Sequence, residues 1–248
     1  MTRSRWTAVA MTAAAALTVA LPATASAKKK KVPTITISGA TGSAPLVAQL
    51  AKKYVKTHPG QVKFKLAQGG GEVGVQDAAA GRVTIGNASR DPRPSDPSGL
   101  TFYPIAKDSI CLAVNKSNGV SSLTLKQRQD IWTGAIRNWE QIPGSNLTGT
   151  IDVIGRTAAS SQPPLVESLL LGGKKISSIA ALKSSDGLVK QTIQSNPRAI
   201  GHLSGTYTYD GKVKSLAADG VACNLANAKS GQYPAVRTYY EVTRGKAT

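Results

Sequence analysis

Histidine, cysteine, acidic and aromatic residues are all scarce in this chain of 248 residues. With two histidines and two cysteines, the chain cannot build a three-histidine metal centre, a zinc ribbon, an iron–sulfur cluster or a dense disulfide scaffold. Aromatic residues make up 5% of the sequence, so stacking platforms for single-stranded nucleic acid are not expected. We therefore expect no metal, no cofactor and no nucleic-acid partner.

Basic residues greatly outnumber acidic ones. The chain has 31 Lys and Arg against 13 Asp and Glu, a formal charge of +18. Its 41% hydrophobic content is typical of a globular protein and not of a disordered tail. The charge alone would suit an envelope protein that binds polyanions, and this alternative stays open.

The N-terminus has the pattern of a secretory signal peptide. Arg3 and Arg5 precede an Ala-rich apolar stretch, and Ala25-Ser-Ala27 forms an Ala-x-Ala cleavage site. A transmembrane anchor is the alternative, but the stretch is shorter than the roughly 20 residues that span a bilayer. We expect a signal peptide at residues 1–27, a basic arm at 28–32, and an exported protein that is extracellular, periplasmic or at the cell envelope. Because the residue directly after the cleavage site is Lys28 and not a cysteine, a lipoprotein is not indicated.

Export makes a disulfide between Cys111 and Cys223 the leading interpretation of the cysteine pair. The alternative is two inert buried thiols. A bond would tie the strand around Cys111 to the C-terminal part of the first lobe.

Strands, Gly-rich loops and helices alternate along the sequence, which predicts an α/β fold with a mostly parallel sheet. Strand patterns occur at 34–38, 62–66 and 83–85, and a later strand at 151–154 is followed by a helix from Leu165. We expect two lobes, the first from residues 33–112 and 213–248 and the second from 113–212. Trp132 and Trp139 are expected in the core, and His202 on a half-buried strand.

Four loops follow predicted strands and precede helices or turns, at 39–43, 68–72, 87–90 and 155–162. Such loops present backbone N–H groups at helix N-termini, where anions bind. Arg90 and Arg156 flank two of them, which favours an oxyanion. A hydrolase would need a positioned base, and the two histidines are poorly placed for one.

Ordered blocks along the chain resemble the phosphate-binding proteins of bacterial phosphate ABC transporters (PstS type). The resemblance covers about residues 34–243 and rests on seven blocks, namely Ser38–Pro45, Gln68–Gly71, Gly86–Arg90, Ile131–Trp139, Gly155-Arg156, Ala199–Gly201 and Gly231–Pro234. It implies a type II periplasmic-binding-protein fold with a ligand cleft between two lobes. It also implies a monomer that binds without chemistry and passes an oxyanion, phosphate, to an ABC permease.

The resemblance also implies a set of ligand-binding residues. Thr41 and Arg156 match binding residues of the family, whereas Glu72, Arg90 and Ala158 stand where the family often has Ser, Asp and an acid. The expected cleft is lined by Thr41, Ser43, Gly71, Glu72, Ser89, Arg90, Arg156, Ser160 and Ser161. A carboxylate in such a site accepts a hydrogen bond from the hydroxyl of hydrogen phosphate and disfavours fully ionised sulfate. Glu72 either fills this role or only pairs with Arg90, and an envelope scaffold with a degenerate site is the alternative function.

Overall fold

The computed structural model describes residues 31–247. The expected signal peptide at 1–27 and most of the basic arm at 28–32 lie outside the described residues. In the described part of the chain, no helix combines the length and the apolar character that crossing a membrane requires.

The described residues form a mixed α/β structure. The strands are β1 (Thr34–Gly39), β2 (Lys63–Leu66), β3 (Ile85–Ala88), β4 (Leu100–Val114), β5 (Ser122–Leu123), β6 (Asp152–Arg156), β7 (Ala181–Lys183), β8 (Ala199–Ser204), β9 (Lys214–Ser215), β10 (Ala217–Ala218) and β11 (Val236–Arg244). The helices are α1 (Ala44–Thr57), α2 (Gly71–Ala79), α3 (Leu125–Thr133), α4 (Gln162–Leu169), α5 (Asp186–Ser195) and α6 (Leu225–Ser230).

The long strand β4 joins two halves of one sheet, whose order is β2-β1-β3-β11-β4-β8-β6-β7. Its first part, Leu100–Ser109, pairs antiparallel with β11, and its last part, Ile110–Val114, pairs antiparallel with β8. The pairs β1–β2, β1–β3, β6–β7 and β6–β8 are parallel. We call residues 31–108 and 236–247 the first half, and residues 109–235 the second half.

The boundary between the halves differs from the sequence expectation, which assigned residues 213–248 to the first lobe. β9 pairs with the end of β4, and β10 pairs with β5. Leu216, Cys223 and Tyr233 belong to the same hydrophobic cluster as Trp132 and Trp139. The segment up to Ala235 therefore packs with the second half, because its apolar side chains complete that core.

Local sequence explains where the helices begin. Thr124 caps α3 through a capping box with Gln127. α4 begins at Gln162 and not at Leu165, because Pro163 and Pro164 occupy its first turn, where no backbone N–H is needed. Both tryptophans are fully buried, as expected.

Cys111 and Cys223 form a disulfide with a Cα–Cα distance of 5.7 Å, which confirms the expected pairing. Both residues are buried in the core of the second half. The bond therefore joins two segments of one half that are 112 residues apart in sequence, and it does not tie the second half to the first.

We predict that opening this disulfide destabilises the second half. A loop of this length corresponds to about 4–5 kcal/mol in the chain-entropy account. Urea unfolding should show a lower midpoint both for reduced wild-type protein and for the double variant Cys111→Ala/Cys223→Ala. Oxidised and reduced proteins with the same midpoint would contradict the prediction.

Candidate functional site

The four strand-end loops of the sequence analysis come together in the structure. The Gly70 N–H donates to the Gly39 carbonyl at 2.9 Å, which links the loop before α2 to the loop before α1. The Glu72 N–H donates to the Ala159 carbonyl at 3.1 Å and so links the first half to the loop before α4. The N-termini of α1, α2 and α4 are thereby held around one buried region, which we call the cleft.

Thr41 and Arg156 meet in the cleft. Arg156 Nη2 donates to Thr41 Oγ1 at 3.1 Å, although the two residues lie 115 positions apart. Nη2 also donates to the Ser184 carbonyl at 3.0 Å, and Nε donates to the Lys183 carbonyl at 3.2 Å. Thr41 and Arg156 are 2% and 3% exposed, so this contact is shielded from water.

Asp186 completes the contact as a buried carboxylate. Its Oδ2 accepts from Thr41 Oγ1 and from Arg156 Nη1, each at 2.5 Å. Its Oδ1 accepts from Gln162 Nε2 at 2.6 Å and from the Ser204 N–H at 2.8 Å. Burial alone would raise the pKa of Asp186, but the positive charge of Arg156 and these donors lower it below the usual value. Asp186 is therefore ionised.

Arg90 and Glu72 pair with each other. Arg90 Nε and Nη2 donate to the two Glu72 carboxylate oxygens, each at 2.9 Å. Arg90 Nη2 also donates to Asp96 at 2.6 Å, and Nη1 donates to Asp96 and to the Asp91 carbonyl. Burial would raise the pKa of Glu72, yet the Arg90 charge holds it below its usual value. All three guanidinium nitrogens of Arg90 are thus used by Glu72 on α2 and by the loop of residues 91–96.

Gly71, Ser89 and Ser161 form a small cradle. A Cβ atom at Gly71, the first residue of α2, would lie 2.4 Å from Ser161 Oγ and 3.3 Å from Ser89 Oγ. The Ser161 hydroxyl is buried and has no hydrogen bond of standard geometry within residues 31–247. Only glycine leaves this space open.

Ser43 and Ser160 are buried, but their hydroxyls are used within their own loops. Ser43 Oγ donates to the Ala40 carbonyl at 3.1 Å, and Ser160 Oγ accepts from the Gln162 N–H at 3.2 Å. These two serines shape the loops before α1 and α4.

A second buried ion pair lies beside the cleft. Arg237 Nη2 and the Tyr239 hydroxyl contact Asp108 Oδ2 at 3.2 and 2.6 Å. Ser204 Oγ donates to the same Asp108 oxygen at 2.7 Å. Burial raises the pKa of Tyr239 well above its usual value, and the Arg237 charge, which acts in the opposite direction, does not offset it. Tyr239 therefore remains a neutral donor.

His202 is fully buried and not half-buried as expected. Its Nδ1 lies 3.1 Å from Gln162 Oε1. The Gln162 amide nitrogen is turned toward Asp186, so its oxygen faces the imidazole and Nδ1 carries the proton. Burial, reinforced by the nearby Arg156 charge, lowers the pKa of His202 to about 3.

The sequence analysis missed Asp186, Arg237 and Asp108. Asp186 is the first residue of α5, where an acid usually only complements the helix dipole. Asp108 and Arg237 lie on strands β4 and β11, where their neighbours in sequence give no sign of burial. They pair although they lie 129 positions apart in the sequence.

We predict that His202 makes the protein less stable as the pH is lowered below about 6.5. Its folded-state pKa of about 3 lies below the ordinary value of 6.5, so between these values the unfolded chain binds a proton that the folded chain does not. At pH 4.5 this difference lowers the free energy of unfolding by on the order of 2–3 kcal/mol. Thermal melts should show a steeper loss from pH 6.5 to 4.5 for wild type than for His202→Asn.

Burial raises the pKa of Glu241 to about 7, so this carboxyl group makes the protein more stable as the pH is lowered. Both proteins keep Glu241, so the difference between their pH slopes reports on His202 alone. His58→Asn, at the end of α1, is the control for losing a histidine outside the cleft. Equal pH slopes for wild type and His202→Asn would refute the prediction.

Comparisons with known proteins agree with this geometry. A family model for the PBP superfamily domain matches residues 24–248. The phosphate-binding protein PstS of Bacillus subtilis is 29% identical over 228 residues, which cover 90% of this chain and 74% of that protein.

Solved structures show the same relationship. A Clostridium perfringens protein assigned as a phosphate ABC transporter substrate-binding protein, solved with bound phosphate, is 30% identical with a TM-score of 0.79, over 85% of this chain and 86% of that one. An ABC-type phosphate transport receptor from Vibrio cholerae is 27% identical with a TM-score of 0.66, over 86% and 88% of the two chains. These matches confirm the expected α/β periplasmic-binding fold. The chain belongs to the PBP superfamily, and these three relatives are phosphate-binding or phosphate-transport proteins.

Proposed function

We propose that the chain is an exported solute-binding protein that captures a tetrahedral oxyanion, phosphate, in the cleft between its halves. The observation that carries the proposal is the buried meeting of Thr41 and Arg156 at 3.1 Å. Thr41 belongs to the first half and Arg156 to the second. One bound anion can therefore take donors from both halves, which act as the two lobes of the protein.

The donors around the cleft suit an oxyanion. Arg156 offers charge-assisted hydrogen bonds, and the N-termini of α1, α2 and α4 add backbone N–H groups and positive dipole ends. Gly71 leaves the Ser161 hydroxyl uncovered. This arrangement is a buried, shaped site and does not depend on the net surface charge, so it favours oxyanion capture over the polyanion or scaffold alternative.

The relatives' names supply the ligand and the partner. The Clostridium perfringens protein was solved with phosphate, and its assignment is to an ABC transporter. We infer that this chain binds phosphate, changes no covalent bond in it, and delivers it as a monomer to an ABC permease. We further infer export through the signal peptide at 1–27, without a lipid anchor.

Asp186, and not Glu72, is placed to select the ligand. When an oxyanion takes the Thr41 hydroxyl and Arg156 Nη1, the Oδ2 of Asp186 loses both of its donors. That oxygen can then accept a hydrogen bond from the hydroxyl of hydrogen phosphate. Sulfate carries no such proton, and its negative charge would face an unpaired buried carboxylate.

We predict that Arg156→Ala weakens phosphate binding about 10- to 150-fold, because a charge-assisted hydrogen bond worth about 1.5–3 kcal/mol is lost. Isothermal titration of the mature protein, with folding checked by circular dichroism, measures the change. Arg82→Ala removes an arginine that is 60% exposed and paired with Asp77, and it should leave the affinity unchanged. An Arg156→Ala protein that is folded and binds phosphate as wild type does would rule out this site.

We also predict that Asp186→Asn reduces the preference for phosphate over sulfate, whereas Glu72→Gln preserves it. The reason is that Glu72 is occupied by Arg90 and Asp186 faces the Thr41 and Arg156 donors. Competition titrations with both anions give the ratio of affinities. A ratio that changes in Glu72→Gln and not in Asp186→Asn would reverse the assignment.

A further inference from the structure

We propose that Arg237 is the second guanidinium of the oxyanion site. The inference rests on the proposed function and adds to it a binding residue on β11, outside the strand-end loops. Under this proposal each half supplies one arginine, Arg156 from the second and Arg237 from the first. The bound oxyanion then links the two halves through two charged groups.

The first argument is that Arg237 is buried with unused hydrogen-bonding capacity. Its side chain is 2% exposed. Nη2 contacts Asp108 and the Tyr239 hydroxyl, both at 3.2 Å. Nη1 has one long contact of 3.4 Å, to Ser89 Oγ, and Nε has no partner within the described residues. Since a buried donor without a partner costs about 1–3 kcal/mol, this guanidinium is arranged for an acceptor that the surrounding chain does not supply.

The second argument is the position of this guanidinium. A Cβ atom at Gly42 would lie 2.8 Å from Arg237 Nη2, so Arg237 borders the loop before α1. Its Nη1 contacts Ser89, whose hydroxyl borders the Gly71 cradle together with Ser161. Arg237 therefore lies between the N-terminal ends of α1 and α2. Hydroxyl and guanidinium donors on this side of the cleft face the same small space.

The third argument is the contrast with Arg90, the arginine that the sequence favoured. Every guanidinium nitrogen of Arg90 is bonded to Glu72, Asp96 or the Asp91 carbonyl. To reach a ligand, Arg90 would have to give up bonds to two carboxylates, whereas Arg156 exchanges only its Nη1 bond to Asp186 for the ligand. Arg237 has free N–H capacity already, so it can bind an oxyanion while it keeps its contact with Asp108.

The test is a titration of folded Arg237→Lys with phosphate. Lysine keeps the charge but loses the planar fork of donors. We expect affinity to fall about 10-fold or more, in the range of one or two charge-assisted hydrogen bonds. Arg128→Lys is the matched control, because Arg128 is equally buried and paired with Asp219 but belongs to α3 in the second half. That variant should lower the melting temperature and leave the phosphate affinity unchanged.

A second measurement needs no variant. In crystals of the wild-type protein grown with phosphate, a guanidinium nitrogen of Arg237 should lie within about 3.2 Å of a phosphate oxygen. A phosphate bound in the cleft with every Arg237 nitrogen beyond about 4 Å would overturn the inference, even where Arg237→Lys fails to fold.

The outcomes separate this inference from the proposed function. Wild-type protein that binds no phosphate removes the proposed function and this inference with it. Wild-type binding that is weakened in Arg156→Ala but unchanged in Arg237→Lys keeps the proposed function and overturns the role of Arg237 alone.

Discussion

The contact of Thr41, Arg156 and Asp186 is the interaction on which the rest of the cleft depends. A buried charge is stable only when it is paired and its remaining donors or acceptors are satisfied. Asp186 meets this condition with four donors. Thr41 belongs to the first half, and the other three, from Arg156, Gln162 and Ser204, belong to separate segments of the second half. Each of these segments is thereby fixed relative to the others. The same donors are those that an oxyanion would use, so one arrangement provides both the order of the cleft and its chemistry.

The sheet explains how residues so distant in sequence reach one place. β4 runs through both halves and pairs with β11 on one side and β8 on the other. Asp108 lies where this strand passes from one half to the other and contacts Arg237 and Ser204. The neighbouring Cys111 is tied to Cys223 inside the second half. The crossing point is thus held by an ion pair on one side and by a covalent bond on the other.

The sequence predicted the strand-end loops, the α/β fold and the disulfide, because each has a local signal. Glycine before a helix and two cysteines in a chain with a signal-peptide pattern are such signals. The roles of Asp186 and Arg237 had none. Whether a charged residue on a helix end or strand is exposed or buried depends on partners more than 100 positions away. The packing of the segment up to Ala235 on the core around Trp132 had no local signal either, since this segment has short strands and few large side chains.

Titration of residues 28–248 with phosphate at low salt and at about 0.5 M NaCl tests the central claim most directly. Exposed charges are strongly screened at the higher salt concentration, whereas a buried site is screened much less. The account predicts one phosphate per chain at both salt concentrations, with a modest change in affinity. No heat of binding in folded, phosphate-free protein, or binding that disappears at the higher salt concentration, would contradict it.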